Sequence, residues 1–143
     1  MFATFLLLLL TAVSGIKCIA LVQPPVMVVK PGESFSVPCK ITGYSATSTC
    51  TNWIRHKSGQ ALEWIGWYCS SSNTGSIDSL KNKIRLSAEA SSNTVILHGQ
   101  NFQSEDTAVY YCAREGVVYG AFDYWGKGTT VTVTSAVQSA PKS

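Results

Sequence analysis

From Phe35 onward, apolar and polar side chains alternate: Phe35, Val37, Cys39 and Ile41 are separated by Ser36, Pro38 and Lys40. A period of two puts one set on each face of an extended chain, so this stretch predicts a half-buried β-strand. Further strand-like runs cover residues 53–56, 62–68, 84–88, 94–98, 108–114 and 129–134. Between them stand turn-forming clusters at Lys30-Pro31-Gly32, Lys57-Ser58-Gly59, residues 70–76 and Ser91-Ser92-Asn93. No stretch sustains a helical period and no segment recurs at a fixed interval. Short strands punctuated in this way predict an all-β chain, folded as an antiparallel sandwich or barrel.

The first residues break that pattern. Residues 5–10 form a continuous apolar run that fades through Thr11, Ala12 and Val13. A membrane-spanning helix needs about 20 apolar residues, so this run is too short, and it reads as part of a secretory signal peptide over residues 1–18. Cleavage is expected after Gly15 or Cys18; Cys18 is preferred because the chain then starts as a strand at Ile19. One domain follows over residues 19–135, and the small and polar residues 136–143 read as a linker.

Composition narrows the chemistry. Five cysteines in 143 residues fit an oxidising compartment. The leader takes Cys18, leaving Cys39, Cys50, Cys69 and Cys112, which allow three pairings. The formal charge of +3 is spread along the chain with no clustered basic face, which argues against nucleic acid as a partner. The two histidines, His56 and His98, stand in no metal-ligand spacing with Cys, Asp or Glu, so neither metal nor cofactor is expected. Phosphate-cradling loops and nucleophile motifs are absent, and the chain does not read as an enzyme. Asn73 is followed by Thr-Gly and Asn93 by Thr-Val, so neither is a glycosylation acceptor.

Trp53 lies between Cys39 and Cys112, and Tyr110 stands two residues before the second cysteine. A tryptophan and a tyrosine so placed relative to two distant cysteines are the marks of an immunoglobulin sandwich. Further motifs are Lys30-Pro31-Gly32, Trp53-Ile54-Arg55, Leu62-Glu63-Trp64-Ile65-Gly66, the run EDTAVYYC at 105–112, Ala113-Arg114, and Trp125-Gly126-Lys127-Gly128-Thr129. On these residues the chain resembles an immunoglobulin heavy-chain variable region from Ile19 to about Ser135. Its last motif resembles a joining segment, and residues 136–143 resemble the start of a constant region.

The resemblance implies a nine-stranded, two-sheet Greek-key sandwich. Cys39 and Cys112 would form the disulfide between its sheets, Trp53 would pack on them, and Tyr110, Lys83 and Asp106 would complete the core. Three loops, at residues 43–52, 67–78 and 115–124, would bind antigen. Candidate contacts are Tyr44, Thr49, Thr51, Trp67, Tyr68, Ser71, Asn73, Glu115, Val117, Val118 and Tyr119. Rigid aromatics among small polar residues suit such a surface. His56, Leu62, Trp64, Tyr111 and Trp125 match positions the family uses against a light chain, and heavy-chain constant domains are the other expected partners. The product would be secreted or at the cell surface. Cys50 and Cys69 fall in the first and second loops, which stand side by side in this fold, so a second disulfide is expected. Arg114 and Asp123 bracket the third loop and are expected to pair across its base.

Four positions depart from the family pattern. Pro38 lies inside a strand, where a missing donor is tolerated at edges or bulges. Gly99 continues the inward alternation of Val95 and Leu97 where a large apolar residue is usual, so a void or bulge is expected there. Lys83 replaces the arginine opposite Asp106, which predicts a less geometrically fixed pair. His56 replaces a glutamine at the light-chain contact. A second reading is a variable-type domain of a cell-surface immune receptor or adhesion protein. The stretch 115–121 running into 122–134 resembles recombined segments and favours the heavy chain.

Overall fold

The computed structural model describes residues 18–118 and 121–135. Residues 1–17 of the expected leader, the tail 136–143 and the candidate contact Tyr119 lie outside the described residues. Among the described residues eleven strands follow one another: β1 (Ala20–Val22), β2 (Val26–Val29), β3 (Phe35–Thr42), β4 (Thr51–His56), β5 (Leu62–Ser70), β6 (Asn73–Ser76), β7 (Ile84–Glu89), β8 (Thr94–Gly99), β9 (Ala108–Glu115), β10 (Phe122–Trp125) and β11 (Thr129–Val133). They form a four-stranded sheet, β1-β3-β8-β7, and a seven-stranded sheet, β2-β11-β9-β4-β5-β6, with β10 beside β9. The chain changes sheet between β1 and β2, β2 and β3, β3 and β4, β6 and β7, and β8 and β9, and the last three of these are the crossings of a Greek-key sandwich.

The strand count differs from the nine expected because two strands are divided. Pro24-Pro25 separates β1 from β2: proline supplies no N–H to a ladder, and here the chain leaves one sheet to run parallel to β11 in the other. Gly126 to Gly128 separates β10 from β11, with Gly128 at φ 91°. The Gln23 amide supports that break. It accepts the N–H groups of Cys112 and Gly128 and donates to the Tyr110 carbonyl at 2.8 Å. The expected turn at residues 70–76 is also corrected, because Asn73–Ser76 is the edge strand β6. Its residues are polar, so only its backbone ladder to β5 marks it as a strand.

Alternation in β3 does what its pattern predicts: Val37, Cys39 and Ile41 are buried and Ser36, Pro38 and Lys40 exposed. They meet Leu86, Val95 and Leu97 from the same sheet and Trp53, Ile65, Tyr110 and Val131 from the other. The Cys39–Cys112 disulfide joins β3 to β9 across the core, with Cα atoms 6.4 Å apart. Pro38 causes no bulge and pairs in register with Ile96. Since Ile41 donates its N–H toward Asn93 on the β8 side, alternation turns position 38 the other way. There β1 has already ended, its pairing closing at Val22 opposite Lys40. The missing donor therefore faces no strand.

The expected bulge at Gly99 is absent, and the space beside it is an open surface cleft rather than a buried void. Gly99 pairs in register with both Phe35 and Ile84, and a Cβ on it would overlap the Phe35 ring. That ring takes the place of a side chain at Gly99 and meets buried Phe102 edge-on, centroids 4.8 Å apart. A large residue is present after all, supplied by the neighbouring strand.

The pair expected between Lys83 and Asp106 belongs to a larger network. Lys83 Nζ lies 2.7 Å from one carboxylate oxygen of buried Asp106, and Arg55 donates to the other at 3.2 Å. The Gln103 N–H also donates to Asp106, at 3.0 Å. Arg55 turns its Nε to Glu63 at 2.7 Å and donates to the Tyr110 hydroxyl, which donates to the Asp106 carbonyl at 2.6 Å. Burial pushes the Tyr110 phenol up to about 12, so it is a neutral donor at physiological pH. Arg55, visible in the sequence only as part of the Trp53-Ile54-Arg55 motif, is thus a buried core residue.

Candidate functional site

The three candidate loops meet at one end of the sandwich because β4, the strand after the first loop, is paired on both sides. Thr51 stands opposite Tyr68 at the second loop and opposite Arg114 at the third. Cys50 and Cys69 are joined in a disulfide, Cα atoms 4.1 Å apart, linking the first loop to the second. At the third loop, Arg114 donates from Nε and Nη2 to the two oxygens of Asp123, at 3.0 and 2.6 Å. This bidentate geometry fixes the guanidinium plane. The same group stacks between the Tyr44 ring at 4.7 Å and the Tyr124 ring at 4.9 Å. Arg114 therefore pins the first loop against the base of the third. Burial outweighs the nearby guanidinium and raises the Tyr44 phenol to about 12.

Not every candidate contact reaches the surface. Thr51 is fully buried and Tyr68 nearly so, at 8% exposure. Both lie in paired strand positions that point inward, so they support the loops rather than touch a ligand, and the expectation for them is corrected. Thr49 is half-buried with its hydroxyl hidden. Trp67 is half-buried as well: its ring stacks on Trp64 at 5.6 Å, and its Nε1 donates to Asn73 at 3.0 Å. Ser71, Asn73, Val117 and Val118 are exposed. The two valines project from the tip of the third loop, which closes below them through a Gly116 N–H bond to the Ala121 carbonyl. Glu115 and Tyr44 flank the base, half-buried.

A second surface lies on the seven-stranded sheet. Leu62 is 58% exposed, Trp64 43% and Trp125 42%. Side chains so exposed are not part of this domain's own core. Half-buried Tyr111 meets Trp125 edge-on at 6.0 Å, and Phe122 meets it at 5.6 Å. His56 is half-buried at the end of β4, opposite Leu62 and Val109. An exposed apolar and aromatic face built from β5, β9 and β10 is the kind of patch that marks a protein interface.

Two inter-sheet half-cystines with a buried tryptophan, a tyrosine bonded back to backbone, and loops gathered at one end define the fold. The immunoglobulin V-set domain model matches residues 22–134. The chain belongs to the immunoglobulin V-set family. Similar proteins include the mouse (Mus musculus) Ig heavy chain V region MOPC 315, 43% identical over 132 residues, spanning 91% of this chain and 96% of that relative. The Ig heavy chain V region XIG14 of Xenopus laevis is 43% identical over 107 residues, 75% of this chain and 79% of its own length. The IgW heavy chain V region W26 of Heterodontus francisci is 39% identical over 120 residues, 84% and 99% of the two chains. These relatives give this V-set domain the role of an antibody variable domain, which is not an enzyme. Among the described residues, no helix is long and apolar enough to cross a membrane.

Asn52 and Arg55 are site and core residues that no motif offset marks as such. Both are polar residues inside the buried run of β4, where every residue from Thr51 to Arg55 is buried. A polar side chain in such a run must find partners, and that rule was the signal available for both.

Proposed function

We propose that this V-set domain is the heavy-chain variable domain of an antibody or B-cell receptor. It binds antigen through its three loops, pairs with an immunoglobulin light chain, and is followed by heavy-chain constant domains in a secreted or cell-surface molecule. Residues 1–18 serve as its leader, residues 19–135 as the domain, and residues 136–143 as the start of the constant region. The observation that carries the reading is the exposed face of Leu62, Trp64 and Trp125 beside the loop cluster. In a domain working alone this surface would stay wet and promote association, whereas a partner with a matching apolar face removes it from water.

Co-expression with a panel of light chains tests the reading. The chain is expected to form a stable heterodimer with at least some of them. Leu62→Arg, which sets a charge in the middle of the apolar face, is expected to weaken pairing at least tenfold while leaving the domain folded. Failure of every light chain to pair with the unaltered chain would overturn the proposal.

The Cys50–Cys69 link supports a stiffened binding surface. Cross-linking the first two loops reduces the entropy lost when they are ordered on a ligand. Non-reducing peptide mapping of the secreted protein is expected to yield the Cys50 and Cys69 peptides joined; two alkylatable thiols at these positions would refute the pairing.

A further inference from the structure

Asn52 is 5% exposed, and the two ends of its amide are engaged by different parts of the molecule. Its Oδ1 accepts the indole N–H of Trp64 at 2.8 Å, and its Nδ2 donates to Glu115 Oε1 at 3.1 Å. An indole nitrogen can only donate and a carboxylate can only accept. The amide therefore has a single orientation, since turning it over would set donor against donor and acceptor against acceptor. Aspartate here would keep the bond to Trp64 but set a second carboxylate against Glu115. Leucine would break both bonds. Asparagine satisfies both neighbours at once.

The two neighbours lie on different surfaces. Trp64 is part of the exposed apolar face and stacks on Trp67 of the second loop. Glu115 opens the third loop, where its backbone N–H is held by the Cys50 carbonyl at 3.1 Å. Asn52 stands between them, opposite Trp67 in β5 and Ala113 in β9. Two consecutive hydrogen bonds through one buried amide thus join the apolar face to the first residue of the loop.

We propose that Asn52 is a positioning residue that couples occupancy of the apolar face to the geometry of the third loop. A partner seated on Trp64 fixes the indole, the indole fixes the amide, and the amide holds the Glu115 carboxylate. A cationic or N–H-bearing ligand group that draws on Glu115 acts on Trp64 through the same path in reverse, since coupling between two sites is reciprocal. The identity of the partner as a light chain rests on the proposed function; the Trp64–Asn52–Glu115 relay does not.

The relay is tested on the full chain with its four tryptophan indoles labelled with nitrogen-15 and the Trp64 signal assigned by Trp64→Phe. Glu115→Ala is expected to shift the Trp64 indole resonance and speed its solvent exchange about threefold to tenfold, the range set by one hydrogen bond. The Trp53 and Trp125 indoles should stay in place. Glu115→Gln, which retains an acceptor oxygen, should restore most of the protection. A Trp64 indole unmoved by Glu115→Ala overturns the relay, and equal disturbance of all four indoles overturns a positioning role in favour of general loosening. Adding a purified light-chain variable domain should then shift the backbone amides of Glu115 and Gly116 in the unaltered chain but not in Asn52→Leu. Equal shifts in both overturn the coupling. Absence of any binding to the unaltered chain counts against the light-chain proposal alone, because the indole experiment is decided without it.

Discussion

Replacing Cys39 and Cys112 together by alanine is expected to lower the unfolding free energy by about 4 kcal/mol. The two residues are 73 apart in sequence, so their bond removes a large share of the unfolded chain's conformations. Both are fully buried between the sheets in a cluster with fully buried Trp53, and alanine leaves unfilled volume there, which adds to the loss. A domain of this size is stable by about 5–15 kcal/mol, so the variant should stand near the edge of folding at body temperature. Cys50 and Cys69 are only 19 apart, and the same reasoning gives their removal about 3 kcal/mol at most. Denaturant unfolding followed by tryptophan fluorescence checks the order of the two effects. A loss below about 1 kcal/mol for the inter-sheet pair would mean that packing alone holds the sheets together.

How much of this was legible in the sequence depended on whether one residue or a pair of strands carried the signal. β3 could be read because one of its faces lies on the core and the other on water, so its alternation is complete. Trp53, Tyr110 and the two half-cystines were legible through their offsets. β6 was not, because its polar residues are held by the β5 ladder rather than by burial of apolar side chains. Gly99 misled for a related reason: the volume it lacks is supplied by Phe35 on the opposing strand, and no single position records that exchange.

At the candidate site the loops could be placed but the direction of their side chains could not. Thr51 and Tyr68 fall inside the loop boundaries, yet β4 has already begun at the first and β5 has not yet ended at the second, and both side chains point inward. A shift of one residue decides whether a side chain faces ligand or core. Buried Asn52 and Arg55 make the same point from the other side. Each is explained by partners on other strands, Trp64 and Glu115 for the first, Glu63, Asp106 and Tyr110 for the second. Only the assembled sheet names those partners.

Asp106→Ala should cost about 3 kcal/mol near neutral pH, because removing one member of a buried charge network leaves the others uncompensated. The value falls at the low end of the usual range for two reasons. Arg55 keeps Glu63 at 2.7 Å, and Lys83, with its side chain 23% exposed, can turn to water. The pH dependence separates this account from simple loss of packing. Burial alone would raise the Asp106 pKa, but the Gln103 N–H, the Lys83 ammonium and the Arg55 guanidinium outweigh it and hold the carboxyl below its ordinary 3.8. A carboxyl with a depressed folded-state pKa contributes its full stability above the unfolded value and loses it as pH falls through the folded one. The unaltered domain should therefore weaken as pH falls from about 5 toward 2, while Asp106→Asn, with nothing to protonate at this position, should give a flatter curve. Asp123, whose pKa Arg114 also lowers, lies on the surface. The Arg114–Asp123 pair is the same in the unaltered domain and in Asp106→Asn, so the difference between their two curves reports Asp106. Parallel curves for the two proteins would refute the charged network as the source of the stability.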